Sequence, residues 1–520
     1  TEAQYFAAPI AGLYLSDMVS ADGFRGEWRY IYIFGTVALI ILLLACVNYT
    51  NLMTARATGR SKEVGVRRTV GAGRRQVATQ FLIESALLAG AAFVVAVALA
   101  GLGLPGFNRL FDTEIALTAT VGPLVGGLAF IAVLTGLLAG AYPALYLSTI
   151  DPSAALRGGR TSGGSGGLLR KGLVIFQFGL ATALIICTAL VYQQLNYALT
   201  ADLGFEDEQV VHTPVPAERG DPYREAVSNH GSVVSASIAQ TLPGDFRGQY
   251  VQEASSFSPE AEVGEDVSIQ LRPATIDHGY LETLGLELVA GRDFSRAFPA
   301  DEHEAAILNE TAAREMGWTP EEAIGKSFSA SGEDSHEGRV IGVVRDFHTG
   351  SFREEIAPIV LVMYTTPIGA SEQLAMRVAP NRIQAARDHV EAQWAQFSDE
   401  PVELSFLSDD FAAMYETEER LSRVFTLFTA LALLIACMGL FALAAYAVQR
   451  RTKEVGIRKV LGATVQSVVA LLSTDFLKLV LIGFVVAVPV AYLVMQRWLQ
   501  DFAYRIDIGV LPFFVAAVLA

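Results

Sequence analysis

The fold is decided by a duplicated stretch of sequence. Residues 60–72, RSKEVGVRRTVGA, and residues 451–463, RTKEVGIRKVLGA, align without a gap, and eight of the 13 positions are identical. The register extends outward, since Cys46 aligns with Cys437 before the stretch and Glu84 aligns with Asp475 after it. The chain therefore contains a repeated module of helix, basic segment and helix.

Each copy is predicted to form a short amphipathic helix along the cytoplasmic membrane face. Both copies have an acid four residues before an arginine, an apolar strip and a final glycine, which favour a surface ion pair, one apolar side and a helix stop. These residues are Glu63, Arg67, Val66, Val70 and Gly71 in the first copy, and Glu454, Arg458, Ile457, Leu461 and Gly462 in the second. Glu84 and Asp475 are expected near the N-terminal ends of the next spans, where the helix dipole favours an anion.

The composition indicates a membrane protein. Hydrophobic residues make up 52% of the 520 residues, and the mean hydropathy is +0.39. Apolar runs of about 20 residues, each long enough to cross a bilayer core, predict six full spans. The spans are placed at residues 30–52, 81–104, 121–147, 171–194, 422–448 and 474–496, with an incomplete span from 509. Because the chain starts at Thr1 and stops inside an apolar run, we expect an internal fragment.

Charge predicts the orientation of the spans. Lys and Arg concentrate after the first span, near residues 148–171 and after the fifth span, and short loops rich in these residues stay in the cytoplasm. Residues 105–120, 197–421 and 497–508 then lie on the outer side. The region 197–421 holds 41 acidic and 15 basic residues, a net charge of −26. This acidity fits a basic ligand, a salty environment or solubility pressure. The outer face provides no basic stripe for nucleic acid.

The region 197–421 is predicted to be an α+β domain inserted between the fourth and fifth spans. Alternating apolar residues favour strands, and apolar residues at helical spacing favour helices. The predicted strands are 267–276, 305–309 and 339–347, and the predicted helices are 280–285, 311–317 and 383–397. The three cysteines, Cys46, Cys187 and Cys437, all lie in apolar runs, which excludes a disulfide framework and a cysteine zinc site.

The repeat, together with segments of the inserted domain, resembles the FtsX/MacB-like permeases of ABC transporters. The resemblance rests on KEVGIRKVLGA after a membrane helix, on YLETLGLELVAGRDF (280–294), on ILNETAAREMGW with IGKSF (307–328), on GVVRDFHTGSFREEIAPIVL (342–361) and on WLQDFAYRIDI (498–508). It covers nearly the whole chain. It implies the tandem form, with two FtsX-like modules and a MacB-like periplasmic core domain.

The resemblance implies an α-helical integral membrane protein, with about seven of eight spans present and an inserted α+β periplasmic domain. Residues 1–27 would be the tail of a first periplasmic core domain, and the last span would continue past Ala520. The predicted domains are an FtsX-like module of three membrane helices (28–150), a cytoplasmic Gly/Ser linker (151–170), a membrane helix (171–196), the MacB-like core domain (197–421) and a second FtsX-like module (422–520).

The repeat itself has two interpretations. Basic loops can grip lipid headgroups, and this explains one such loop well. Lipid binding needs only positive charge, whereas both copies also keep a Glu and a Gly in a fixed order, which favours two equivalent docking sites for a protein. The resemblance implies that these coupling helices dock on a dimer of separate ATPase chains. The docking residues would be Arg60, Lys62, Glu63, Val64, Gly65, Arg67, Gly71, Arg451, Lys453, Glu454, Val455, Gly456, Arg458, Lys459 and Gly462.

The sequence contains no recognisable catalytic motif. The one Gly-Lys-Ser, at Gly325–Ser327, has no Walker A glycine before it, so ATP and Mg²⁺ are expected on the partner ATPase and no cofactor or metal on this chain. Asp346 and His348 could form a metal or acid–base site, but alternate residues on one strand face explain them more simply. The spans carry few charges away from their ends, which is unlike a carrier with an ion pathway.

We therefore predict a multi-pass permease of the bacterial inner membrane that couples ATP hydrolysis to motion of a periplasmic domain. Its cargo class would be peptide, drug-like or lipid-linked, and its further partners a periplasmic adaptor, an outer-membrane channel and membrane lipid. One alternative is an FtsX-like mechanotransmission protein that controls a periplasmic hydrolase or sensor. The other is a membrane-bound enzyme that works through the acidic domain.

Overall fold

The computed structural model describes residues 28–111, 113–116, 122–148, 164–240, 242–244, 255–259, 269–331, 336–363 and 371–519. They divide into two compact units. Among the described residues, the helical unit contains residues 28–192, 420–497 and 508–519, and the α+β unit contains residues 193–419 and 498–507.

The secondary structure follows the division into spans and inserted domain. The helices are α1 Trp28–Gly59, α2 Ser61–Thr69, α3 Arg74–Phe111, α4 Gly122–Ser148, α5 Gly164–Thr200, α6 Gly220–Ser228, α7 Tyr280–Leu284, α8 Asp301–Glu304, α9 Glu310–Glu315, α10 Pro320–Ala323, α11 Ile383–Trp394, α12 Leu407–Met414, α13 Glu416–Val460, α14 Val465–Leu499 and α15 Leu511–Leu519. The strands are β1 Val210–Pro216, β2 Val233–Ala239, β3 Ser255–Pro259, β4 Ile269–Ile276, β5 Leu288–Gly291, β6 Ala305–Asn309, β7 Ser327–Ser331, β8 His336–Val344, β9 Ile359–Met363, β10 Ser371–Val378 and β11 Ser405–Phe406.

Each of the six predicted spans is a helix. By length and composition, α1, α3, α5, α13 and α14 can cross a membrane, and the described apolar part of α4 runs over Val125–Ala141. The predicted fold class, a helical membrane protein with an inserted α+β domain, is confirmed. The helices are longer than the apolar runs, and they continue into the polar residues that flank each run.

Helix α5 shows this extension most clearly. It begins at Gly164, inside the segment predicted as a Gly/Ser linker, and residues 151–163 lie outside the described residues. A glycine costs a helix about 1 kcal/mol relative to alanine. Because adding a residue to an existing helix is much easier than nucleating one, the long apolar part of α5 can extend the helix over these few glycines.

Small residues allow the membrane helices to approach closely. A Cβ built on Gly136 would lie 2.4 Å from the Cβ of Ala89, and one on Gly140 would lie 2.3 Å from the Oγ of Ser85. These two glycines of α4 therefore pack against α3, as close helix packing in membranes requires. In the same unit, a Cβ on Gly179 of α5 would lie 3.2 Å from the carbonyl oxygen of Gly483 in α14.

The α+β unit is built on one mixed sheet. Strands β11, β1, β10 and β2 pair in that order and are antiparallel. Strand β2 continues to β4, from which β3, β7, β8, β6 and β9 follow in turn, and β9 pairs back with β4. Six strands thus form a closed circuit of pairings, and β5 pairs with β8.

Helix α11 packs through one apolar side, as its amphipathic pattern predicts. Its buried residues Ala386, Val390 and Trp394 recur every four residues and so share one side. Tyr223 of α6 donates a hydrogen bond to the carbonyl of Val390 at 3.0 Å, and its ring lies 5.0 Å from that of Trp394. These aromatic contacts join α6 and α11 in one core cluster with residues of the sheet.

The predicted elements of the inserted domain are confirmed in type. Strand β6 has the predicted bounds, and the helices predicted at 280–285, 311–317 and 383–397 correspond to α7, α9 and α11. The strand predicted at 339–347 is shifted, because β8 ends at Val344. Asp346 and His348 therefore lie in the loop after the strand, and the prediction that they share a strand face was wrong.

Candidate docking site

The first copy of the repeat forms a separate short helix. Helix α1 ends at Gly59, and α2 begins at Ser61 after a bend at Arg60. At its C-terminal end, the N–H of Gly71 donates to the carbonyl of Arg68 and that of Ala72 to Arg67, while Gly71 adopts a φ of +104°. Only glycine takes this left-handed conformation at little cost, so Gly71 stops the helix as predicted.

Arg60 forms ion pairs with both α2 and the following helix, α3. One guanidinium nitrogen lies 2.9 Å from a carboxylate oxygen of Glu84 in α3, and another lies 3.1 Å from Glu63 in α2. The guanidinium carbon also stands 4.8 Å from the centre of the Phe81 ring, a cation–π contact. Arg60 therefore fixes the position of α2 relative to the start of α3.

The predicted ion pair within α2 is present. Glu63 and Arg67 are 2.9 Å apart, and Arg67 also donates a 2.7 Å hydrogen bond to Gln80 of α3. The hydrogen bond from Arg60, with further attraction to Arg67, lowers the pKa of Glu63 from its ordinary value. Bonds to Glu84 and Glu63 raise the pKa of Arg60. Both groups stay charged near neutral pH.

The two apolar sides of α2 have different environments. Val64 is only 3% exposed and packs with Val77 and Phe81 of α3. Val66 and Val70, the predicted apolar strip, are 51% and 84% exposed. Val64 was predicted as a docking residue, but its side chain is buried between α2 and α3. The strip is exposed and is available to a partner or to lipid.

The second copy follows a different path. The prediction of a separate short helix was wrong here, because residues 451–460 continue α13, which runs unbroken from Glu416 to Val460. Gly59 aligns with Arg450 in the 391-residue register. Glycine is among the poorest helix formers and arginine among the best, which explains a break in the first copy and continuity in the second.

The end of the second copy nevertheless matches the first. The N–H of Gly462 donates to the carbonyl of Lys459 and that of Ala463 to Arg458, and Gly462 has a φ of +93°. Glu454 and Arg458 form the predicted pair at 2.9 Å. The strip residues Ile457 and Leu461 are 63% and 80% exposed.

The remaining predicted docking residues divide by exposure. Val455 is half-buried, Gly65 is buried, and Gly456 and Lys459 are exposed. The side chains of Lys62, Arg451 and Lys453 lie outside the described residues. The structure thus places an exposed apolar strip beside an acid–arginine pair in both copies.

The predicted role of the helix dipole at Glu84 is not supported. Because α3 begins at Arg74, Glu84 lies in the third turn, whereas the dipole effect is confined to the first. Arg60 and a 3.2 Å bond from Gln80 hold its carboxylate instead. Sequence reasoning missed this pair, although Arg60 and Glu84 both lie in the aligned register. Asp475 is likewise ten residues beyond the start of α14.

Comparison with protein-family models assigns most of the chain. The model of the FtsX-like permease C-terminal region matches residues 35–152 and again residues 426–520. The model of the MacB-like periplasmic core domain matches residues 178–393 between them. The chain belongs to the FtsX/MacB-like ABC transporter permeases. In this permease, each FtsX match contains one copy of the repeat.

Curated relatives match over a limited part of the permease. It is 38% identical over 124 residues to the macrolide export ATP-binding/permease protein MacB of Hyphomonas neptunium, which is 24% of this chain and 18% of the relative. It is 33% identical over 138 residues to the ABC transporter permease YknZ of Bacillus subtilis, covering 24% and 31% of the two chains. The pyoverdine export protein PvdT of Pseudomonas syringae is 31% identical over 139 residues, with 27% and 20% covered. The permease thus spans a third or less of each relative.

Solved structures include two periplasmic or extracellular domains of related proteins. The periplasmic region of MacB from Actinobacillus actinomycetemcomitans is 13% identical, with a TM-score of 0.30 over 42% of this chain and 97% of that one. The extracellular domain of YknZ is 16% identical, with a TM-score of 0.25 over 40% and 94%.

Proposed function

We propose that this chain is the permease subunit of an ABC transporter and that the two copies of the repeat dock on a dimer of ATPase chains. The observation that carries the proposal is the exposed apolar strip, which recurs in both copies beside the same ion pair and before the same glycine cap. Lipid headgroups would bind the arginines but would not require the strip to end in the same way twice. A dimeric protein partner with two equivalent grooves would require the strip to end in the same way in both copies.

ATP hydrolysis is assigned to the partner. The sequence lacks a Walker A loop, so nucleotide and Mg²⁺ would bind to the ATPase chains and not to this one. The MacB and PvdT relatives are named ATP-binding/permease proteins, and this chain matches only a fifth of their length. The permease would receive the motion of the ATPases through α2 and the end of α13.

Export or extrusion is the proposed outcome. Two of the relatives carry export in their names, of macrolides and of pyoverdine respectively. The proposed location is the bacterial inner membrane, with the α+β unit in the periplasm, where a periplasmic adaptor and an outer-membrane channel could continue the path. The proposed cargo class is peptide, drug-like or lipid-linked.

Substituting the most exposed strip residue of each copy tests the docking. The double variant Val70→Asp with Leu461→Asp changes two side chains that are 84% and 80% exposed, so folding should be preserved. Burying a carboxylate without a partner is costly, and a loss of only about 1.4 kcal/mol at one site weakens binding tenfold. We expect the amount of ATPase that co-purifies with the solubilised protein from its native host to fall at least about tenfold.

The matched control is Val234→Asp, on a valine of the α+β unit that is 56% exposed. This variant should recover as much ATPase as the wild type. Equal recovery of ATPase with the double variant would place the docking site elsewhere. Recovery of a periplasmic hydrolase or sensor without any ATPase from the wild type would replace the transporter by the regulatory alternative.

A further inference from the structure

The loop that joins β8 to β9 meets three other segments of the α+β unit. This joint loop, residues 345–358, contacts the C-terminal end of α5, the residues around the start of α13, and the segment 498–507 that follows α14. Each of these segments is continuous with a predicted membrane span. The joint loop therefore contacts the three segments of the α+β unit through which the chain leads to or from a predicted span.

The contact with α13 is an ion pair largely shielded from water, since the side chain of Arg353 is 28% exposed and that of Glu418 is 9% exposed. Arg353 donates two hydrogen bonds, of 2.7 and 3.1 Å, to one carboxylate oxygen of Glu418, whose side chain is 9% exposed. Next to this pair, the N–H of Phe352 donates to the hydroxyl of Tyr415 at 2.7 Å. A charge pair removed from water requires both partners, since loss of either one leaves the other uncompensated.

The contact with the segment 498–507 is aromatic and polar. The N–H of Tyr504 donates to the carbonyl of Phe352 at 3.1 Å, and the guanidinium of Arg353 stands 4.5 Å from the Phe502 ring. The imidazole of His348 stacks on Phe352 at 4.2 Å and meets Tyr504 edge-on at 4.7 Å. Burial lowers the pKa of His348, which favours the neutral ring in this stack.

The end of α5 completes the contacts. Gln194, 1% exposed, donates to the carbonyl of Tyr504 at 3.0 Å and accepts from the N–H of Ile506 at 2.9 Å. The ring of Tyr197 lies 5.9 Å from that of Phe352. Phe352 and Tyr504 thus link all three segments, and none of them can shift without disturbing the other two.

We propose that Arg353 and Glu418 are positioning residues that make the α+β unit follow the outer ends of the membrane helices. The inference rests on the proposed function, because the ATPases supply the motion that the joint loop would pass on. A hydrophobic cluster alone would tolerate sliding, whereas a two-bond ion pair of low exposure fixes one arrangement. The joint loop would therefore set how fully helix motion reaches the inserted domain.

Charge reversal and charge exchange test the proposal. The variants are Arg353→Glu, Glu418→Arg and the two together, in a protein whose native cysteines are replaced and which carries spin labels at positions 199 and 234. Leu199 and Val234 are 47% and 56% exposed, so labels there should not disturb packing. The matched control reverses Arg345 in its 2.6 Å pair with Glu287, because both side chains of that pair are more than half exposed.

Two readouts separate the inference from the proposed function. We expect each single reversal to broaden the distribution of label distances and to abolish its ATP-dependent change, while the co-purifying ATPase and its hydrolysis rate stay at the wild-type level. The exchanged pair should restore the narrow distribution, and the control should leave it unchanged. Narrow distributions in both single variants would overturn the inference. Absence of a co-purifying ATPase from the wild type would overturn the proposed function. The distance distributions without nucleotide would still test whether the Arg353–Glu418 pair fixes the arrangement of the joint loop.

Discussion

The first copy of the repeat starts its helix after a bend at Arg60, whereas the second copy continues α13 without interruption. Beyond this point the two copies converge, because both end in the same pair of backbone hydrogen bonds and a left-handed glycine. Residues outside the 13 aligned positions explain why the first helix is broken and the second is continuous. Gly59 corresponds to Arg450, and Gln80 and Phe81 correspond to Leu471 and Leu472.

This comparison separates the residues of the repeat that would contact a shared partner in the proposed docking from the residues that hold each helix in place. Features that both copies keep, namely the acid–arginine pair, the exposed strip and the glycine cap, are those that a shared partner would contact. Features that differ concern how each helix is held by its own chain. The first copy is a short helix fixed by Arg60 to α3, and the second is the stiff end of a 45-residue helix.

Proline substitution at equivalent positions should separate the two copies most strongly. Thr452 lies inside α13, where proline removes a helix hydrogen bond and clashes with the preceding turn, at a cost of about 3 kcal/mol. The equivalent Ser61 is the first residue of α2, a position where proline is tolerated, although Arg60 would have to move from its ψ of 2° toward an extended conformation.

We therefore expect Thr452→Pro to lower the thermal midpoint of the solubilised protein clearly and Ser61→Pro to lower it much less. The measurement is thermal unfolding in detergent, with both variants at the same concentration. Equal losses would mean that α2 continues α1 in solution, which would remove the distinction between the two copies.

Removal of the arginine at the bend should have an intermediate effect. The Arg60 pair with Glu84 has side chains that are 37% and 40% exposed, so its contribution is about 1 kcal/mol, and the contact with Phe81 adds about 0.5 to 1 kcal/mol. In the second copy, the Phe81 position is Leu472, which cannot make a cation–π contact. Arg60→Ala should therefore loosen α2 more than Arg451→Ala loosens the end of α13.

Amide hydrogen exchange measures this difference directly. Exchange over residues 61–69 should speed up about tenfold in Arg60→Ala, since a change of about 1.4 kcal/mol in local opening is a factor of ten. Exchange over residues 452–460 in Arg451→Ala should rise less. A larger effect in the second copy would show that α13 depends on Arg451 for contacts that replace those of Arg60.

The same contrast shows how far sequence could predict the site. The repeat, its ion pairs and its glycine caps depend on residues within one or two turns, and periodicity and spacing reveal them. The glycine at position 59 could have predicted the helix break at Arg60, but the pattern of the repeat suggested two equal helices. The pair of Arg60 with Glu84 joins two helices across a turn, and nothing in the helical pattern sets the angle between them.

The inserted domain shows the same limit. Strand β6 and helices α7 and α11 were predictable because their apolar spacing is regular. The parallel pairing of β4 with β9 was not predictable, because it joins residues nearly 90 positions apart and depends on the whole sheet. The contacts of Arg353 with Glu418 were missed for the same reason, since each residue looks like an ordinary surface charge in its own segment.

The smallest expected effect concerns Glu63, which the first copy shares between two arginines while Glu454 is paired with Arg458. Because the pKa of Glu63 is lowered in the folded protein, its stabilising contribution is present above its unfolded-state value of about 4.3. The contribution is lost as the pH falls through the lower folded-state pKa. Exposed pairs of this kind contribute about 0.5 kcal/mol.

We expect Glu63→Gln to destabilise α2 slightly at pH 7, and we expect its difference from the wild type to shrink as the pH falls through the lowered folded-state pKa, because the wild-type carboxylate then becomes protonated. An environment-sensitive dye on a cysteine at position 70, followed in a denaturant titration at each pH, would report the local stability. Glu454→Gln is the matched control and should show a smaller difference at pH 7, since among the side chains that the structure describes Glu454 pairs with one arginine and Glu63 pairs with two. A gap between Glu63→Gln and the wild type that does not change with pH would mean that the substitution acts through packing and not through charge. The difference between the two copies would then have to be explained by the backbone break alone.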